Sequence, residues 1–161
     1  MEIRKGTIPR LRSHDYRSLQ TYFITFCVRD RTPTFNSKPA ADIARSVILE
    51  YRERGWFYVL AYAIMPDHVH LLMRLRSRDR TLSRIVATIK NRMTQYGRGR
   101  DIPIRWQWGF HDHVRRPSES PGDVAQYIVA NPVRAGLVVD AADYPFCGII
   151  DDWTATQADP V

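Results

Sequence analysis

The sequence predicts an α+β fold in which a central antiparallel sheet, of the ferredoxin-like split βαβ kind, carries an added C-terminal helix. Two observations lead to this prediction. Apolar and polar residues alternate over strand-like stretches, and between these stretches apolar residues recur at helical spacing, in the order β-α-β-β-α-β and then α. With 161 residues, 44% of them hydrophobic, we expect one domain over 1–161, with a basic arm over 1–17 and a polar tail over 151–161.

The first half of the chain supplies a strand, a helix and a second strand. Residues 20–29 alternate in the manner of a half-buried strand. Residues 40–54 carry apolar side chains at helical spacing and stop at Gly55, which predicts a helix. The near-continuous apolar run over 56–65 then predicts a central strand.

The next segment, HVHLLMRLR, has two unlike faces if it is a strand. One face is apolar and is made of Val69, Leu71, Met73 and Leu75. The other is mostly polar and is made of His68, His70, Leu72, Arg74 and Arg76. We therefore expect the first face to lie in the core and the histidines to lie outside it.

The second half continues with a helix, a strand and a last helix. Residues 81–98 have an amphipathic helical pattern, and residues 105–116 alternate as a fourth strand would. The last helix should begin near Ser120, a plausible cap, and end near Asn131 because Pro132 follows.

The charge of the chain indicates an anionic partner. Lys and Arg number 24 against 17 Asp and Glu, a net charge of +7, and only three of the 24 are lysines, which leaves 21 arginines. The arginine fork matches phosphate oxygens, and several aromatic residues could stack on bases, so a nucleic acid is favoured over an acidic protein. An Arg-rich composition also arises in a GC-rich genome, so charge alone does not decide. The aromatic residues are Tyr22, Trp106, Trp108 and Phe110.

Location is predicted from what the sequence lacks. The two cysteines have neither metal-ligand spacing nor a disulfide framework, which fits a reducing cytoplasm. The N-terminal segment has no apolar signal region, and no stretch approaches the roughly 18 apolar residues of a membrane span. We expect a cytoplasmic protein associated with the nucleoid.

Four of the five histidines form two His-x-His pairs, His68/His70 and His111/His113. On a strand this spacing points both imidazoles to one face, with Cα atoms roughly 7 Å apart, so that they can converge on one ion. Ordinary surface or hydrogen-bonded histidines give the same pattern. The apolar opposite face of the first pair favours a metal site there, with oxygen ligands completing the shell.

The last helix could supply those ligands. Val124, Tyr127, Ile128 and Asn131 share one stripe of it. If this stripe covers the histidine face, a phenol and an amide oxygen reach the metal. A tyrosine between Val124 and Ile128 is, on the other hand, commonly a core aromatic residue.

Three strings together resemble a known family. MPDHVHLL, at 65–72, resembles the HUH motif of the single-tyrosine transposases, with Val69 as its hydrophobic middle residue. WQWGFHDH, at 106–113, and YIVANPVRAGLV, at 127–138, resemble the REP-associated tyrosine transposases, a domesticated branch of that group. The likeness covers most of the chain, about 22–146.

This resemblance implies a transesterase in which Tyr127 attacks a phosphodiester of single-stranded DNA, leaving a 5′-phosphotyrosine link and a free 3′-hydroxyl. It implies that His68, His70 and Asn131 hold Mg²⁺ or Mn²⁺, although relatives elsewhere in the HUH group often have Gln or Glu in the Asn position. The implied substrate is a hairpin from repetitive extragenic palindromes with a short flanking guide sequence. No nucleotide cofactor is expected, which agrees with the absence of a P-loop sequence.

Several alternatives stay open on the sequence. The protein could grip structured single-stranded nucleic acid without cutting it, or it could be a zinc hydrolase that uses both histidine pairs and a water nucleophile. His111 and His113 could form a second metal site, but a phosphate contact or a place on the polar strand face is favoured. A monomer and a homodimer are both compatible. The basic residues predicted to contact DNA are Arg12, Arg74, Arg84, Lys90, Arg92, Arg115, Arg116 and Arg134.

Overall fold

A computed structural model describes residues 19–113 and 119–156 and shows one five-stranded antiparallel sheet with helices on both faces. The strands are β1 (Thr21–Cys27), β2 (Phe57–Met65), β3 (His68–Leu75), β4 (His111–His113) and β5 (Cys147–Ile149). The helices are α1 (Lys38–Glu53), α2 (Leu82–Arg98), α3 (Pro121–Val129), α4 (Asn131–Arg134) and α5 (Trp153–Thr156). The strand order is β4-β1-β3-β2-β5, so the predicted α+β, ferredoxin-like class is confirmed.

The alternation read from the sequence separates the two faces of the sheet. The odd-numbered side chains of β3, such as Val69 and Leu71, lie in the main core with α1 and α2. Its even-numbered side chains face the other way, toward α3. A smaller apolar cluster forms there, made of Leu60, Ala61, Ala63, Met65, Leu72, Val124, Ala125 and Ile128. Helix α3 is therefore fixed over the histidine face by its own apolar stripe.

The start and end of α3 follow the sequence signals. Ser120 caps the helix and forms a capping box with Asp123, while Pro121 occupies the first turn. The helix ends at Val129, and a second short helix, α4, begins at Asn131. The predicted end near Asn131 is thus two residues too late, and Pro132 lies in the first turn of α4. The junction leaves Tyr127 in the last turn of α3.

The predicted strand over 105–116 is wrong for its first half. Only His111–His113 form a strand in the described part of this range, and 105–110 is a loop that touches the sheet through one bridge between Val28 and Trp106. The two tryptophans do not share a face as i and i+2 residues of a strand would, because Trp106 packs on Phe26 while Trp108 is 88% exposed.

The C-terminal part of the described chain packs against the sheet. Strand β5, which was not predicted, extends the sheet beside β2. Asp151, the first residue of the predicted tail, bonds through its carboxylate to Arg52 Nη2 at 2.6 Å and to the Val59 N–H at 2.8 Å. The tail therefore begins packed against the domain. Within the described ranges, none of the helices is long and apolar enough to cross a membrane.

Candidate active site

The two histidines of β3 meet on the face that α3 covers. His68 Nε2 lies 3.1 Å from His70 Nε2, and the rings stand at 79° to one another. Both side chains lie on the same face as Leu72, which belongs to the cluster under α3. The structure thus brings the predicted pair together, and its role as a metal site remains a prediction.

Each of these imidazoles is oriented through its other ring nitrogen. His68 Nδ1 lies 2.6 Å from Asp67 Oδ1, and His70 Nδ1 lies 2.7 Å from Thr25 Oγ1. An ionised carboxylate only accepts hydrogen bonds, so His68 carries its proton on Nδ1 and its Nε2 presents a lone pair. Hydrogen bonding at the second nitrogen is how proteins orient metal-binding imidazoles.

The carboxylate that holds His68 is itself held. Arg31 Nε donates to Asp67 Oδ2 at 2.8 Å. Burial would raise the pKa of the Asp67 carboxyl, but the hydrogen bonds from His68 and Arg31 and the charges of these residues outweigh burial and lower it. Asp67 therefore stays ionised at neutral pH and continues to fix the His68 tautomer.

Thr25 joins His70 to the second histidine pair. Its hydroxyl, on a residue that is 2% exposed, lies 2.7 Å from His70 Nδ1 and 2.9 Å from His113 Nε2. Strand register explains the arrangement, since Thr25 lies opposite His70 on one side and beside β4 on the other. Phe23 stacks on the His113 ring, with centroids 4.1 Å apart and an interplanar angle of 18°, and fixes its plane.

Electrostatics keep the β3 pair neutral. Burial lowers the pKa of His70 to about 3, with further lowering by His68, His113, Arg134 and Arg31. Burial also lowers the pKa of His68, and the hydrogen bond with Asp67 opposes this only in part. Neutral imidazoles are the form that binds metal ions, so both side chains are ready to act as ligands at neutral pH.

The pair fits a divalent ion in chemistry and spacing. Neighbouring ligands about 2.1 Å from an octahedral ion lie about 3.0 Å apart, close to the 3.1 Å between the two Nε2 atoms. Within 19–113 and 119–156, no three or more His, Cys, Asp or Glu side chains are grouped to hold an ion. A site here would need an amide, a phenol or substrate oxygens for its remaining ligands, and a four-histidine zinc site is not formed.

Tyr127 lies over this face at the surface of the protein. Its neighbours in the stripe, Val124 and Ile128, are buried, whereas Tyr127 is 47% exposed. Phe23 lies between Tyr127 and the histidines, with its ring 6.4 Å from the tyrosine ring, edge to face, and 5.6 Å from the ring of His70. The interpretation of Tyr127 as a core aromatic residue is therefore wrong, and its side chain is accessible at the surface, next to the Phe23 ring that contacts His70.

Two residues of α4 contact Tyr127. Asn131 Nδ2 lies 3.2 Å from the Ile128 carbonyl and 3.4 Å from that of Tyr127, so its amide nitrogen faces the end of α3. Arg134 donates to the Tyr127 carbonyl at 2.6 Å, and its guanidinium carbon lies 4.0 Å from the centroid of the tyrosine ring. Asn131 Oδ1 is the amide atom left for another ligand, and Arg134 brings a cation to the phenol.

The other basic residues predicted to bind DNA are spread over both layers. Arg74 shares the histidine face of β3, whereas Arg84, Lys90 and Arg92 belong to α2 on the opposite layer. Arg92 lies near Glu50, with Nη2 to Oε1 at 3.3 Å, and the Lys90 ammonium donates to two loop carbonyls. These two side chains are thus engaged within the fold. Arg12, Arg115 and Arg116 lie outside the described residues.

Sequence reasoning missed three residues of this site, namely Phe23, Thr25 and Asp67. Phe23 and Thr25 occupy alternate positions of β1 on the face opposite its apolar side. Only the register with β3 and β4 shows that they touch the histidines. Asp67 had a readable signal, since a carboxylate directly before a histidine can reach its ring.

Comparison with known proteins places the chain among transposases. Residues 16–117, more than half of the chain, match the model of the family described as IS200-like transposases. A protein of Escherichia coli K12 named REP-associated tyrosine transposase is 28% identical over 126 residues, covering 78% of this chain and 74% of the relative. A Haemophilus influenzae protein provisionally given the same name is 29% identical over 143 residues, covering 82% and 81%.

A solved structure agrees with these sequence matches. It is that of a REP-associated tyrosine transposase bound to a REP hairpin, and it is similar to this chain with a TM-score of 0.70 and 26% identity. The match covers 88% of this chain and 82% of the other.

Proposed function

Because this chain belongs to the IS200-like transposase family and is a tyrosine transposase of the HUH class, we propose that Tyr127 is its nucleophile and that His68 and His70 hold its divalent ion. The family predicted from the sequence is confirmed. The single observation that supports the assignment of residues is the meeting of two neutral, oriented Nε2 atoms on the sheet face covered by α3, the helix that carries the exposed Tyr127.

The reaction needs no group beyond these residues, the ion and DNA. The Tyr127 oxygen bonds to the phosphorus of a single-stranded DNA phosphodiester, and the bond from phosphorus to the 3′-oxygen breaks. The phenol gives up its proton, the 3′-oxygen takes one up, and the 5′ side stays linked to tyrosine through its phosphate. The new ester conserves the energy of the old one, so attack by a 3′-hydroxyl rejoins DNA without a nucleotide cofactor.

A divalent ion, Mg²⁺ or Mn²⁺, would stabilise charge on the phosphoryl oxygens and favour the phenolate of the nucleophile. The protein contributes orientation and charge. Asn131 Oδ1, one helical turn beyond Tyr127, is the proposed third protein ligand. Arg134 lies over the tyrosine ring, where its cation attracts the phosphate toward the phenol and offsets negative charge as the bond forms.

Thr25 and His113 act as positioning residues for His70. If the His70 Nε2 lone pair is to face the ion, its Nδ1–H donates to Thr25 Oγ1, and the Thr25 hydroxyl then donates to His113 Nε2. Each donor in this chain of hydrogen bonds then has one acceptor. The arrangement fixes the His70 tautomer as Asp67 fixes that of His68.

We propose a DNA hairpin of the REP kind as the substrate. The support is the solved relative, which holds a REP hairpin, and the net charge of +7. Sequence would be read from unpaired bases beside the hairpin stem, whose edges are accessible. A DNA substrate would place the protein at the nucleoid in the cytoplasm.

The test is covalent capture of DNA. A labelled REP-like hairpin with single-stranded flanks, incubated with the protein and Mn²⁺ or Mg²⁺, should give an adduct that survives a denaturing gel. Tyr127→Phe should abolish the adduct and the cut while leaving hairpin binding within about twofold, because the ring and its packing on Phe23 remain.

Two outcomes would refute this assignment. Cleavage by the Tyr127→Phe variant would indicate a water nucleophile, as in a metal hydrolase. Tight hairpin binding by the native protein with neither adduct nor cut, across several hairpins and both ions, would indicate a binding module that has lost the reaction.

A further inference from the structure

The loop over 105–110 displays a tryptophan that the proposed reaction does not use. The Trp108 side chain is 88% exposed, whereas the other tryptophan of the loop, Trp106, packs on Phe26 and Phe35. The Trp108 indole is therefore available to a partner, and burying it on binding would stabilise the complex.

The loop is firmly held, chiefly by Lys90 of α2. The ammonium of Lys90 donates to the Gln107 carbonyl at 2.7 Å and to the Gly109 carbonyl at 2.8 Å, on either side of Trp108. The Lys90 carbonyl in turn accepts the indole N–H of Trp106 at 3.1 Å. Gly109 has a φ of +76°, a conformation that favours glycine and turns the chain sharply after Trp108.

The sheet holds the other side of the same loop. The Gln107 N–H donates to the Cys27 carbonyl at 2.9 Å, and the Arg29 N–H donates to the Arg105 carbonyl at 2.8 Å. Because these hydrogen bonds fix the backbone on both sides of the loop, the position of Trp108 is also fixed. Little conformational entropy is then lost when a flat partner stacks on the indole.

The position of the loop relates the tryptophan to the histidine pair. Cys27, which bonds to Gln107, is paired on its other side with His68. Two strand spacings, roughly 10 Å, therefore separate the backbone before Trp108 from that of the first proposed metal ligand. A DNA strand whose phosphate lies at the histidines can extend over this loop.

The surroundings favour a nucleobase as the stacking partner. Arg29 and Arg105, whose backbones are bonded to each other, are both exposed beside the loop and can contact phosphates. An aromatic side chain flanked by cations is the usual platform for single-stranded nucleic acid, and it tolerates any base because every base has a flat face. A protein partner would be expected to meet a broader apolar patch.

We propose that Trp108 is a stacking platform for one unpaired base in the single strand that flanks the hairpin, held in place by the Lys90 ammonium. The inference rests on the proposed function, since it takes single-stranded DNA as the ligand. It adds a binding site that neither Tyr127 nor the histidines supply. Lys90 then serves DNA binding indirectly, by holding the loop, and not by contacting phosphate.

The experiment locates the stacked base. A fluorescent DNA hairpin with a single-stranded oligothymidine flank, on the 5′ or the 3′ side, is prepared with an abasic site at each flank position in turn. Binding by the native protein should weaken roughly tenfold at one position and little at the others. In Trp108→Ala the same position should become insensitive, because the two changes remove one contact.

Control variants separate stacking from other effects. Trp108→Phe should retain most of the positional effect, and Val139→Ala, which shortens another side chain that is 95% exposed, should retain all of it. Lys90→Met should weaken binding of the flanked hairpin while the hairpin without a flank binds as before. Thermal unfolding of each variant checks that the fold is intact.

The outcomes for the two proposals are distinct. If Trp108→Ala binds the flanked hairpin as tightly as the native protein and keeps the same abasic profile, the platform is refuted and the proposed reaction stands. If Trp108→Ala weakens the hairpin without a flank equally, Trp108 contacts the stem and the inference is again wrong. If the native protein binds no flanked hairpin, the proposed function and the platform fall together.

Discussion

The two His-x-His pairs have the same spacing along the chain but make different contacts. In β3, at the centre of the sheet, His68 and His70 turn their Nε2 atoms toward each other, 3.1 Å apart. In β4, at the edge, His113 turns its Nε2 to Thr25 and stacks on Phe23. The first pair has the form of a ligand set, and the second contributes a residue that holds the first in place.

The difference comes from what lies across the neighbouring strand. His70 lies opposite Thr25, whose small hydroxyl bonds to the ring nitrogen and leaves the ring free to face His68. His113 lies opposite Phe23, whose flat ring covers its imidazole. Spacing along one strand places two imidazoles on one face, and the partners on the next strand decide what they do there.

Removing one of the two proposed ligands, His68 or His70, should have the largest effect on metal affinity. We expect His68→Ala or His70→Ala to lower Mn²⁺ affinity by more than roughly a hundredfold, beyond the loss that follows when an outer partner is removed. Isothermal titration of the metal-free protein measures this directly. Adduct formation with a hairpin should disappear in parallel.

A matched control lies on the same strand face. Arg74→Gln changes a residue two positions beyond Leu72 on that face and should keep native Mn²⁺ affinity, although hairpin binding weakens. Native affinity in His70→Ala would show that the pair does not hold the ion and would remove the distinction between the two pairs.

Removing the contacts by which Thr25 and His113 hold His70 should have an intermediate effect on metal affinity. Thr25→Val keeps the shape of the side chain and removes the hydroxyl between His70 and His113. We expect Mn²⁺ affinity to fall by about 10–100-fold, the range for an outer partner of a ligand. His113→Leu should act in the same direction, and Thr25→Ser should restore most of the affinity.

A spectroscopic readout separates positioning from a general structural effect. Nitrogen chemical shifts of His70 in the Mg²⁺-bound protein should show a proton on Nδ1 in the native chain and in Thr25→Ser. In Thr25→Val they should show a mixture of tautomers. Unchanged shifts together with unchanged affinity would mean that β4 does not support β3 through Thr25.

The stability of the fold at low pH should depend more on the first histidine pair than on the second. Burial, with His68, His113, Arg134 and Arg31, lowers the pKa of His70 to about 3, while an unfolded chain takes up this proton near 6.5. His70 therefore costs no stability above about pH 6.5, and it lowers the free energy of unfolding progressively as the pH falls from there toward 3.

The variant His70→Gln should flatten this acid limb more than His111→Gln. The pKa of His111 is lowered chiefly by burial, but its imidazole is more shallowly buried than that of His70. Thermal unfolding of the metal-free proteins between about pH 4 and pH 7 measures the difference. Equal acid sensitivity of the two variants would contradict the burial of His70 as the source.

The sequence predicted most of the fold because alternation and helical spacing were continuous where elements are long. It failed where elements are short or set by tertiary contacts. Strand β5 has three residues and no alternation to read. The sequence of 105–110 alternates, yet Trp106 packs inward and Trp108 points out, so the two tryptophans do not share a face as they would in a strand. The Lys90 contacts that hold this loop come from another element.

The candidate site was predictable only in part. The apolar face of β3 forces His68 and His70 outward, which the sequence shows directly. Thr25 gave no local signal, since a threonine inside a strand is ordinary, and its meaning depends on register with two other strands. The exposure of Tyr127 beside buried Val124 and Ile128 likewise depends on how α3 is tilted over the sheet.

The smallest effect is expected at His111, and it tests whether the second pair is a metal site of its own. His113 Nε2 is occupied by Thr25, so the β4 pair cannot present two imidazole lone pairs to one ion through those atoms. Titration of the native protein should give one Mn²⁺ per chain, and His111→Gln should change neither this number nor the affinity by more than about twofold. A second Mn²⁺ that is lost in His111→Gln would show that spacing along the strand suffices after all, and that the cross-strand partners do not decide between a ligand and its support.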